Sequence, residues 1–419
     1  MRLSGFFKSR KSALFVVIIL SNPIFAGHSF AAEQPNLKFI KMVHNADLIN
    51  RIENKNISFL AFPAFMKAPG NQVLEINSDF SEIDLFKAQQ PFAPLIRVEK
   101  KFVTIGGTCT SYFMGSSSCD SLVFFSDEGN QRQVMKLSEA TGLDQHDFIA
   151  TSSNSYWGIR YSIKDCQENL NLCGGNQKRP ETQKFADCEV INFNQKGKIL
   201  SSWSAAESLP SSEVLWDYWK DDIFQGNFTD PFHCNSIDIN RTSKKLLISM
   251  RHTNSIYAVD FAKNKVEWKI GGNYLGGQSL DSKIPSQELV LGGQHDARWV
   301  SPTSISLLDN ATNTGKPARG LLLSILQQNY KILGVFEDPT RSESQCTGSF
   351  RRFNLDGETF FIAGWGCSKN GATIFTARAK PVVSVMLDNS KNAQYHRWPS
   401  GPQEALNGVL SYRVYPFIR

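Results

Sequence analysis

The sequence lacks the features that mark several common classes of protein. Beyond the first thirty or so residues, no apolar run is long enough for a transmembrane helix. No linker, low-complexity tract or block of like charge marks a domain boundary, and no long amphipathic helix with caps is evident. The sequence contains no pair of Cys-x-x-Cys motifs of the kind that form zinc knuckles. These absences argue against a helical membrane protein, a helical bundle and a modular zinc protein.

Residues 1–31 are predicted to be an export signal. A basic region precedes the apolar stretch 13–20, and Ser29-Phe30-Ala31 supplies small residues for cleavage. Four of the 45 Lys and Arg residues lie in this segment, which leaves 41 against 39 acidic residues, a net charge of +2. A chain whose positive and negative charges are so nearly equal lacks the excess of basic residues that is typical of nucleic-acid-binding proteins. We therefore expect an exported protein, periplasmic or secreted, with no nucleic-acid partner and no membrane span.

An even number of cysteines in an exported chain favours disulfides, made by the disulfide-forming machinery of that compartment. The chain has eight: Cys109, Cys119, Cys166, Cys173, Cys188, Cys234, Cys346 and Cys367. The pairs Cys109/Cys119 and Cys346/Cys367 are plausible bridges, and some pairing among the next three cysteines is expected. Cys234 is the candidate for a free thiol, with one other cysteine then also unpaired. Clustered cysteines leave zinc as a rival interpretation.

Short β-type runs separated by Gly, Asn, Asp and Ser turns predict an all-β chain. The segment 233–268 contains four such runs and three turns, which is the pattern of one propeller blade. About six units of some 45–60 residues are counted. The prediction is a single six-bladed β-propeller over residues 32–419, with its active site at the central channel. Blades are expected to start near residues 58, 109, 146, 233, 295 and 346, and the strand 411–415 is expected to close the ring.

Three histidines stand in similar local sequences. His146 and His295 each lie in Gln-His-Asp, and His233 lies between them in Asp-Pro-Phe-His-Cys-Asn, at spacings of 87 and 62 residues. The innermost strand of every propeller blade lines the central channel, so residues that begin these strands meet at one mouth. Arg251 ends the next strand of the blade that His233 opens. We expect these four side chains to converge.

Three imidazoles, a guanidinium and the nearby Asn235 predict a cationic pocket rich in hydrogen-bond donors, without an obvious carboxylate pair. Such a pocket suits a tetrahedral oxyanion such as sulfate or phosphate, whose charge needs stabilising during transfer. A neutral imidazole can also attack the central atom and hold the group covalently. Asp147 and Asp296 are neighbours of histidines, but adjacent strand residues point to opposite faces, so neither is expected to orient a ring.

Four ordered motifs stand out in the second half of the chain: His233-x-Asn235-Ser-Ile with Arg251 eighteen residues after His233, Val266-Glu-Trp-Lys-Ile-Gly-Gly272, Gly293-Gln-His-Asp296, and Gly364-Trp-Gly366. In these motifs the chain resembles the bacterial arylsulfate sulfotransferase family. The family implies an exported six-bladed propeller that moves a sulfuryl group from a phenolic sulfate ester to a phenol without the nucleotide sulfate donor. It implies small-molecule donor and acceptor phenols, no cofactor and no metal. The oligomeric state is left open.

The resemblance also implies roles for residues. His295 would be the nucleophile that is transiently sulfurylated in a ping-pong mechanism. His233, Asn235 and Arg251 would bind the sulfuryl oxygens, and His146 would assist in binding or in proton transfer. Because His295 must be neutral to attack, activity should rise from acid toward mildly alkaline pH.

On the last blade, Thr347 would correspond to a substrate-binding threonine of the family. Two alternatives remain open: a non-catalytic propeller that serves as a binding scaffold, and a metal-dependent hydrolase that uses the same histidines. His252 is expected to point away from the channel, and Trp219 to pack between blades.

Overall fold

The structure is a computed structural model that describes residues 38–53, 55, 57–62, 73–78, 83–86, 94–99, 101–113, 116–126, 132–174, 183–225, 227–272, 289–326, 329–340, 344, 346–368, 371–388, 395–396, 404–405 and 413–418. The predicted export signal, residues 1–31, lies outside these ranges.

Strands make up nearly all of the regular structure. They are β1 (Lys38–Val43), β2 (Ile57–Phe62), β3 (Val73–Asn77), β4 (Ile83–Phe86), β5 (Ile96–Val98), β6 (Lys101–Phe113), β7 (Ser116–Ser126), β8 (Arg132–Lys136), β9 (Leu143–Ser152), β10 (Ser155–Asp165), β11 (Lys184–Phe193), β12 (Ile199–Ser204), β13 (Phe224–Gln225), β14 (Phe228–Thr229), β15 (Cys234–Ile239), β16 (Lys245–Met250), β17 (Ser255–Asp260), β18 (Lys265–Gly271), β19 (His295–Ser301), β20 (Ser304–Asp309), β21 (Arg319–Leu326), β22 (Asn329–Glu337), β23 (Ser349–Leu355), β24 (Glu358–Gly364), β25 (Ala372–Thr376), β26 (Pro381–Asp388), β27 (Tyr395–His396), β28 (Glu404–Ala405) and β29 (Arg413–Ile418).

The helices are short. They are α1 (Ala46–Glu53), α2 (Ala205–Ser208) and α3 (Lys220–Ile223), with 3₁₀ turns at Leu170–Cys173, Ser211–Glu213 and Arg251–Thr253. Among the residues that the structure describes, no helix is long and apolar enough to cross a membrane.

The strands form a propeller-like arrangement of antiparallel sheets. Three sheets have four strands, in the orders β15-β16-β17-β18, β19-β20-β21-β22 and β29-β2-β3-β4, and one has five, in the order β1-β26-β25-β24-β23. The runs β5-β6-β7-β8 and β9-β10-β11-β12 belong to a single ten-stranded sheet. The all-β prediction is confirmed, whereas the pairing separates four blade-like sheets rather than six.

Hydrogen bonds link the first strands of successive sheets side by side. The amide of Ile237 donates to Asp147 Oδ2 (2.7 Å), that of Ala297 to Ser236 Oγ (2.9 Å), and that of Phe350 to Asp296 Oδ2 (3.1 Å). The amide of Val414 donates to Ser349 Oγ (2.9 Å) in the same way. The strands β9, β15, β19, β23 and β29 thus follow one another around a common centre.

The C-terminal strand supplies the edge of an N-terminal sheet. Strand β29 pairs antiparallel with β2 from Ile57↔Ile418 to Phe62↔Arg413. Tyr415 ties this strand to the next sheet, since the Leu95 amide donates to its hydroxyl at 3.0 Å. The prediction that the last strand closes the arrangement against an early sheet is confirmed for Arg413–Ile418.

Local sequence explains both the turns and the packing. Asp356 and Gly357, both with positive φ (50° and 78°), form the two-residue turn between β23 and β24, as expected for Asp-Gly in a hairpin. Alternate strand residues such as Leu246 and Ile248 are buried in apolar clusters between neighbouring sheets. Because a sheet must bury its apolar face against another layer, these clusters hold the sheets together.

The eight cysteines all lie in described residues and form four disulfides. The predicted bridges Cys109–Cys119 and Cys346–Cys367 are confirmed. The remaining bridges are Cys166–Cys173 and Cys188–Cys234. The expectation of a free Cys234 is therefore wrong: its side chain crosses to β11, where Cys188 lies. Four disulfides are consistent with an exported protein.

One of the expected blade starts does not fit the strands. Cys109 lies inside the long strand β6, opposite its disulfide partner Cys119 on β7, so no unit begins there. The first strand of that run is β5, at Ile96.

Candidate active site

The three histidines singled out by the sequence lie at the same end of the first strands. His146 is near the start of β9, His233 directly precedes β15, and His295 begins β19. Each strand pairs irregularly at this end, with register shifts between Gly158 and Arg160 opposite β9, and at Cys234 and His295 themselves. Bulges redirect the side chains beside them, and here they accompany the convergence of the histidines. The His146 and His233 rings are 5.1 Å apart.

His295 is held in one tautomer. Its Nδ1 lies 2.8 Å from the Gly293 carbonyl oxygen and 2.8 Å from Asn310 Oδ1. Both are acceptors, so Nδ1 carries the hydrogen and Nε2 keeps its lone pair. The Asn310 amide nitrogen donates to Ser344 Oγ (2.9 Å) and to the Thr347 carbonyl (2.8 Å), which fixes its oxygen toward the ring.

Carboxylates hold the other two histidines in the same tautomer. Asp144 Oδ1 accepts from His146 Nδ1 (2.5 Å) and from the His146 amide (2.8 Å). His233 Nδ1 contacts Asp230 Oδ2, and the His233 amide donates to Asp230 Oδ1 (3.0 Å). In both rings the Nδ1 hydrogen is engaged, which leaves Nε2 as the acceptor nitrogen.

Arg251 lies in the 3₁₀ turn directly after β16 and is held from three sides. Its Nη1 donates to Asp222 Oδ2 (2.7 Å) and to His252 Nε2 (3.1 Å), and its guanidinium stacks over the Trp219 ring at 3.9 Å. His252 Nδ1 donates to the Asp230 carbonyl at 2.5 Å, so its Nε2 is the acceptor for Arg251. Within the described ranges, the buried Nε of Arg251 has no hydrogen-bond partner.

His252 belongs to this cluster, and the prediction that it points away is wrong. Its side chain is 1% exposed, and its ring centroid is 4.7 Å from that of His233. The alternation of strand residues does not apply at this position, because β16 ends at Met250 and the chain continues in a 3₁₀ turn. Trp219 was expected to pack between blades, and this buried ring also forms the surface on which Arg251 lies.

Burial favours the neutral form of these imidazoles. It lowers the pKa of His295 well below the ordinary value, and the nearby Arg251 charge lowers it further. Burial, with His146 and Arg251, does the same to the pKa of His233. Burial also lowers the pKa of His252 to about 3. These rings are therefore neutral at neutral pH, and any loss of activity from protonating His295 moves to a lower pH than the sequence suggested.

Asn235 and Thr347, the two predicted substrate-binding residues, both contact the neighbours of His295. The buried Asn235 amide donates to the Gln294 carbonyl at 2.8 Å, and its Oδ1 has no hydrogen-bond partner among the described residues. Thr347 supports Asn310 through its backbone carbonyl, while its Oγ1 lies 3.7 Å from Cys367 Sγ. Thr347 is therefore connected to His295 through Asn310.

The aspartates of the two Gln-His-Asp motifs face a buried ionic network. Asp147 pairs with Arg298 (2.6 Å) and Arg413 (2.8 Å), and Asp296 pairs with Arg298 (2.9 Å) and Arg351 (2.6 Å). Although burial opposes ionisation, the surrounding guanidiniums lower the pKa of Asp296 to about 2. Neither carboxylate orients a histidine ring, as the alternation of strand residues predicted.

Sequence reasoning missed the carboxylates that hold the rings. Asp144 is two residues before His146, a spacing that puts both on one strand face, so this signal was present. Asp230 lies three residues before His233 in a loop. Asp222 is contributed by α3, far enough from any motif that the sequence offered no sign of its role. The sequence showed no obvious carboxylate pair, and it did not predict these three carboxylates, each of which holds a different side chain of the cluster.

Comparison with known families gives a match over the same region. The family model described as Arylsulfotransferase (ASST) matches residues 114–347, more than half of the chain. The chain belongs to the arylsulfotransferase family. The matched segment contains all three histidines, Arg251 and Thr347. No curated protein matches the sequence significantly.

The solved structures similar to this chain are distant in sequence. The β-propeller domain of Cps50 (Swd1) from Myceliophteria thermophila has 8% identity and a TM-score of 0.41, with 91% of this chain and all (100%) of that one covered. TolB from Acinetobacter baumannii has 9% identity and a TM-score of 0.37, covering 87% and 66%. A protein from Lactobacillus plantarum has 9% identity and a TM-score of 0.44, covering 86% and 99%. These likenesses are too distant to bear on the site.

A metal centre fits this cluster poorly. Asp230, His233 and His252 place one ligand atom each within 4.8 Å of one another. However, His252 Nε2 lies 3.1 Å from the Arg251 guanidinium, and the His233 Nδ1 is engaged by Asp230. A divalent cation bound to His252 Nε2 would compete with Arg251 for that nitrogen and would lie beside a permanent positive charge.

Proposed function

We propose that the protein is an aryl sulfotransferase that moves a sulfuryl group from a phenolic sulfate ester to a phenol through a sulfurylated His295. One observation carries the proposal: His295, locked with its Nε2 lone pair available, lies buried within the electrostatic reach of Arg251, His233 and His146. Membership of the arylsulfotransferase family supports this general activity.

The same proposal includes a six-bladed propeller with the active site at one mouth of its channel. The ten-stranded sheet counts as two blades, because β7 and β9 share only the pair Cys119↔Leu143. With this division each blade has four main strands. The short strands β13 and β14 extend the blade β9–β12 beyond β11, and β1 adds a fifth strand to the blade β23–β26. Export to the periplasm or the medium, with cleavage after residue 31, is proposed on the leader sequence and the four disulfides.

In the first half-reaction, His295 Nε2 attacks the sulfur of the donor. The N–S bond forms as the S–O bond to the aryl group breaks, and the phenolate leaves with the electron pair. The positive charge that develops on the ring is shared with the two acceptors at Nδ1, Gly293 O and Asn310 Oδ1. Arg251 and the Asn235 amide bind the sulfuryl oxygens and the charge that develops on them.

In the second half-reaction, the acceptor phenol returns the group to oxygen. Its proton passes to Nε2 of His233 or His146 as its oxygen bonds to sulfur and the N–S bond breaks. This assignment suits the neutral tautomer of His233, whose Nε2 accepts a hydrogen but has none to donate. Once protonated, the ring becomes a donor to the sulfuryl group, and it later gives the proton to a leaving phenolate.

The test is nitrophenol release from 4-nitrophenyl sulfate, with and without phenol. Wild type should release nitrophenol in a phenol-dependent way and form phenyl sulfate, and His295→Ala should do neither. His44→Ala is a matched control, because His44 contacts Ser384 away from the site (3.0 Å). An alkaline quench without acceptor should leave one sulfuryl group on the peptide that contains His295.

The outcomes separate the alternatives. Release of more than one equivalent of nitrophenol per site without an acceptor would identify a sulfatase, and activity lost after chelation and restored by a metal ion would identify a metal-dependent hydrolase. Activity retained in His295→Ala would refute the nucleophile. Absence of release across a panel of aryl sulfates would favour a binding scaffold.

A further inference from the structure

A cavity lies at the opposite end of the first strands from the histidines. It has a volume of about 350 Å³ and is lined by residues 149–151 of β9, by Asp238 and Ile239 of β15, and by Tyr415 and Pro416 of β29. His146 and Thr151 are at opposite ends of β9, about 16 Å apart at the rise of an extended strand. The cavity is therefore separate from the proposed sulfotransfer site.

Positive side chains surround this cavity. Arg97, Arg241 and Arg351 line it together with Asp238. The oxygens of Asp238 accept hydrogen bonds from the backbone amides of Trp299 (2.7 Å) and Ile239 (2.8 Å). Backbone donors therefore already bind both oxygens of this carboxylate. The exposed Arg241 makes no ion pair with any residue in the part of the chain that the structure describes.

Arg351 forms a fixed part of the cavity wall. Its Nε and Nη2 each lie 2.6 Å from an oxygen of Asp296, and its guanidinium lies 5.2 Å from the centre of the Tyr415 ring. Two of its five N–H donors are used in this pairing, which leaves donors for a ligand. The Tyr415 ring is itself held, since its hydroxyl bonds the backbone of Leu95 at 3.0 and 3.3 Å.

Apolar side chains also contribute to the wall, namely Leu60, Leu95, Ile96, Phe102 and Ile149. A cavity that combines an apolar wall with a few charged groups is typical of small-molecule sites. We propose that this cavity binds a small amphipathic organic anion, whose carboxylate or sulfonate-type group pairs with Arg97, Arg241 and Arg351. Its apolar or aromatic body then lies against the aliphatic wall.

Calorimetric titration of the full chain with benzoate and with benzenesulfonate tests this proposal. The variant Arg97→Ala/Arg241→Ala removes two of the cations and leaves the Arg351–Asp296 pair intact. The control Arg378→Ala/Lys380→Ala removes the same charge from exposed positions outside the cavity. Both charge-assisted contacts contribute to affinity, so we expect at least about tenfold weaker binding in the first variant only.

His295→Ala is included to locate the binding. Unchanged affinity in this variant, together with loss in Arg97→Ala/Arg241→Ala, is the expected result, and the anion that binds identifies carboxylate or sulfonate as the preferred group. The proposal is overturned if neither anion binds wild type, if the arginine variant binds as tightly as its control, or if His295→Ala abolishes binding. Because the readout is binding, it does not depend on whether sulfotransfer occurs.

Discussion

Replacing His252 with alanine should weaken transition-state binding by Arg251 without removing Arg251 itself. His252 Nε2 accepts from Arg251 Nη1 at 3.1 Å, and the ring is fixed by its bond to the Asp230 carbonyl. Without His252, the guanidinium keeps its ion pair with Asp222 and its contact with Trp219, but it can rotate about them. Such rotation would misplace the N–H groups that are proposed to bind the sulfuryl oxygens.

The size of the effect follows from the lost contact. A hydrogen bond to a charged group contributes about 1.5–3 kcal/mol, and each 1.36 kcal/mol is about tenfold in rate. Because Asp222 and Trp219 remain, we expect the lower part of that range, a fall in kcat/KM of about 10- to 30-fold. The fall should be mainly in kcat, since the contact acts on charge that develops during transfer.

A double-mutant cycle distinguishes this role from a general loss of structure. Arg251→Ala should cost about 100- to 1000-fold, as removal of an oxyanion donor does elsewhere. In that background His252→Ala should cost almost nothing more, because its partner is already absent. An equal cost of His252→Ala in both backgrounds would refute the reasoning.

Two further substitutions and a thermal melt complete the assay. His252→Gln restores an acceptor near Arg251 and should recover part of the activity. His252→Phe restores a ring without an acceptor and should not. The melting temperature of each variant shows whether the buried site has collapsed.

Three other predictions follow from the structure. Because burial and Arg251 lower the pKa of His295 well below 6.5, the acid limb of kcat/KM should lie below that pH, and a fall between about pH 8 and about pH 7 would contradict this. Loss of the Cys188–Cys234 disulfide, which spans 46 residues, should cost about 2–5 kcal/mol of stability and should reduce activity. Thermal melts and the sulfotransfer assay measure these effects, and a variant with alanine at both Cys166 and Cys173 is the short-loop control. Arg413→Met should lower the free energy of unfolding in urea by about 3–5 kcal/mol, because it leaves a buried carboxylate partly unpaired, and a change below about 1 kcal/mol would contradict this.

The sequence predicted the features that repeat along the chain and missed those made by distant segments. Strand alternation and turn residues were enough for the all-β class, and the recurrence of histidine in similar frames was enough to predict that His146, His233 and His295 lie at one end of the first strands. The blade start expected at Cys109 failed, because a long strand such as β6 carries no internal sign of where its sheet begins.

The contributions of Asp222, His252 and Cys234 depend on tertiary contacts instead. Asp222 reaches Arg251 from α3, 29 residues earlier in the chain, and Cys234 reaches Cys188 across 46 residues. Periodicity within a strand contains no information about such pairs. His252 was misjudged because strand alternation was applied past the end of the strand.

The repeated Gln-His-Asp motif is explained by the different directions of its three side chains. In the second copy, Gln294 donates to Ser249 Oγ (3.2 Å) and to the carbonyls of Met250 and Ser255 (3.0 and 2.9 Å), and so holds the neighbouring sheet in place. His295 enters the site, and Asp296 turns inward at a bulge, with φ of 58°.

That inward turn matters for an anionic substrate. An unpaired carboxylate about 6 Å from a sulfate would cost roughly 3 kcal/mol at an effective dielectric constant of about 20. Arg298, Arg351 and Arg413 bind Asp147 and Asp296 and offset their charge, although both carboxylates are next to site histidines in sequence. The motif can therefore contain an aspartate beside the histidine of the proposed sulfate-ester site, because the aspartate faces the buried arginines while the histidine faces that proposed site.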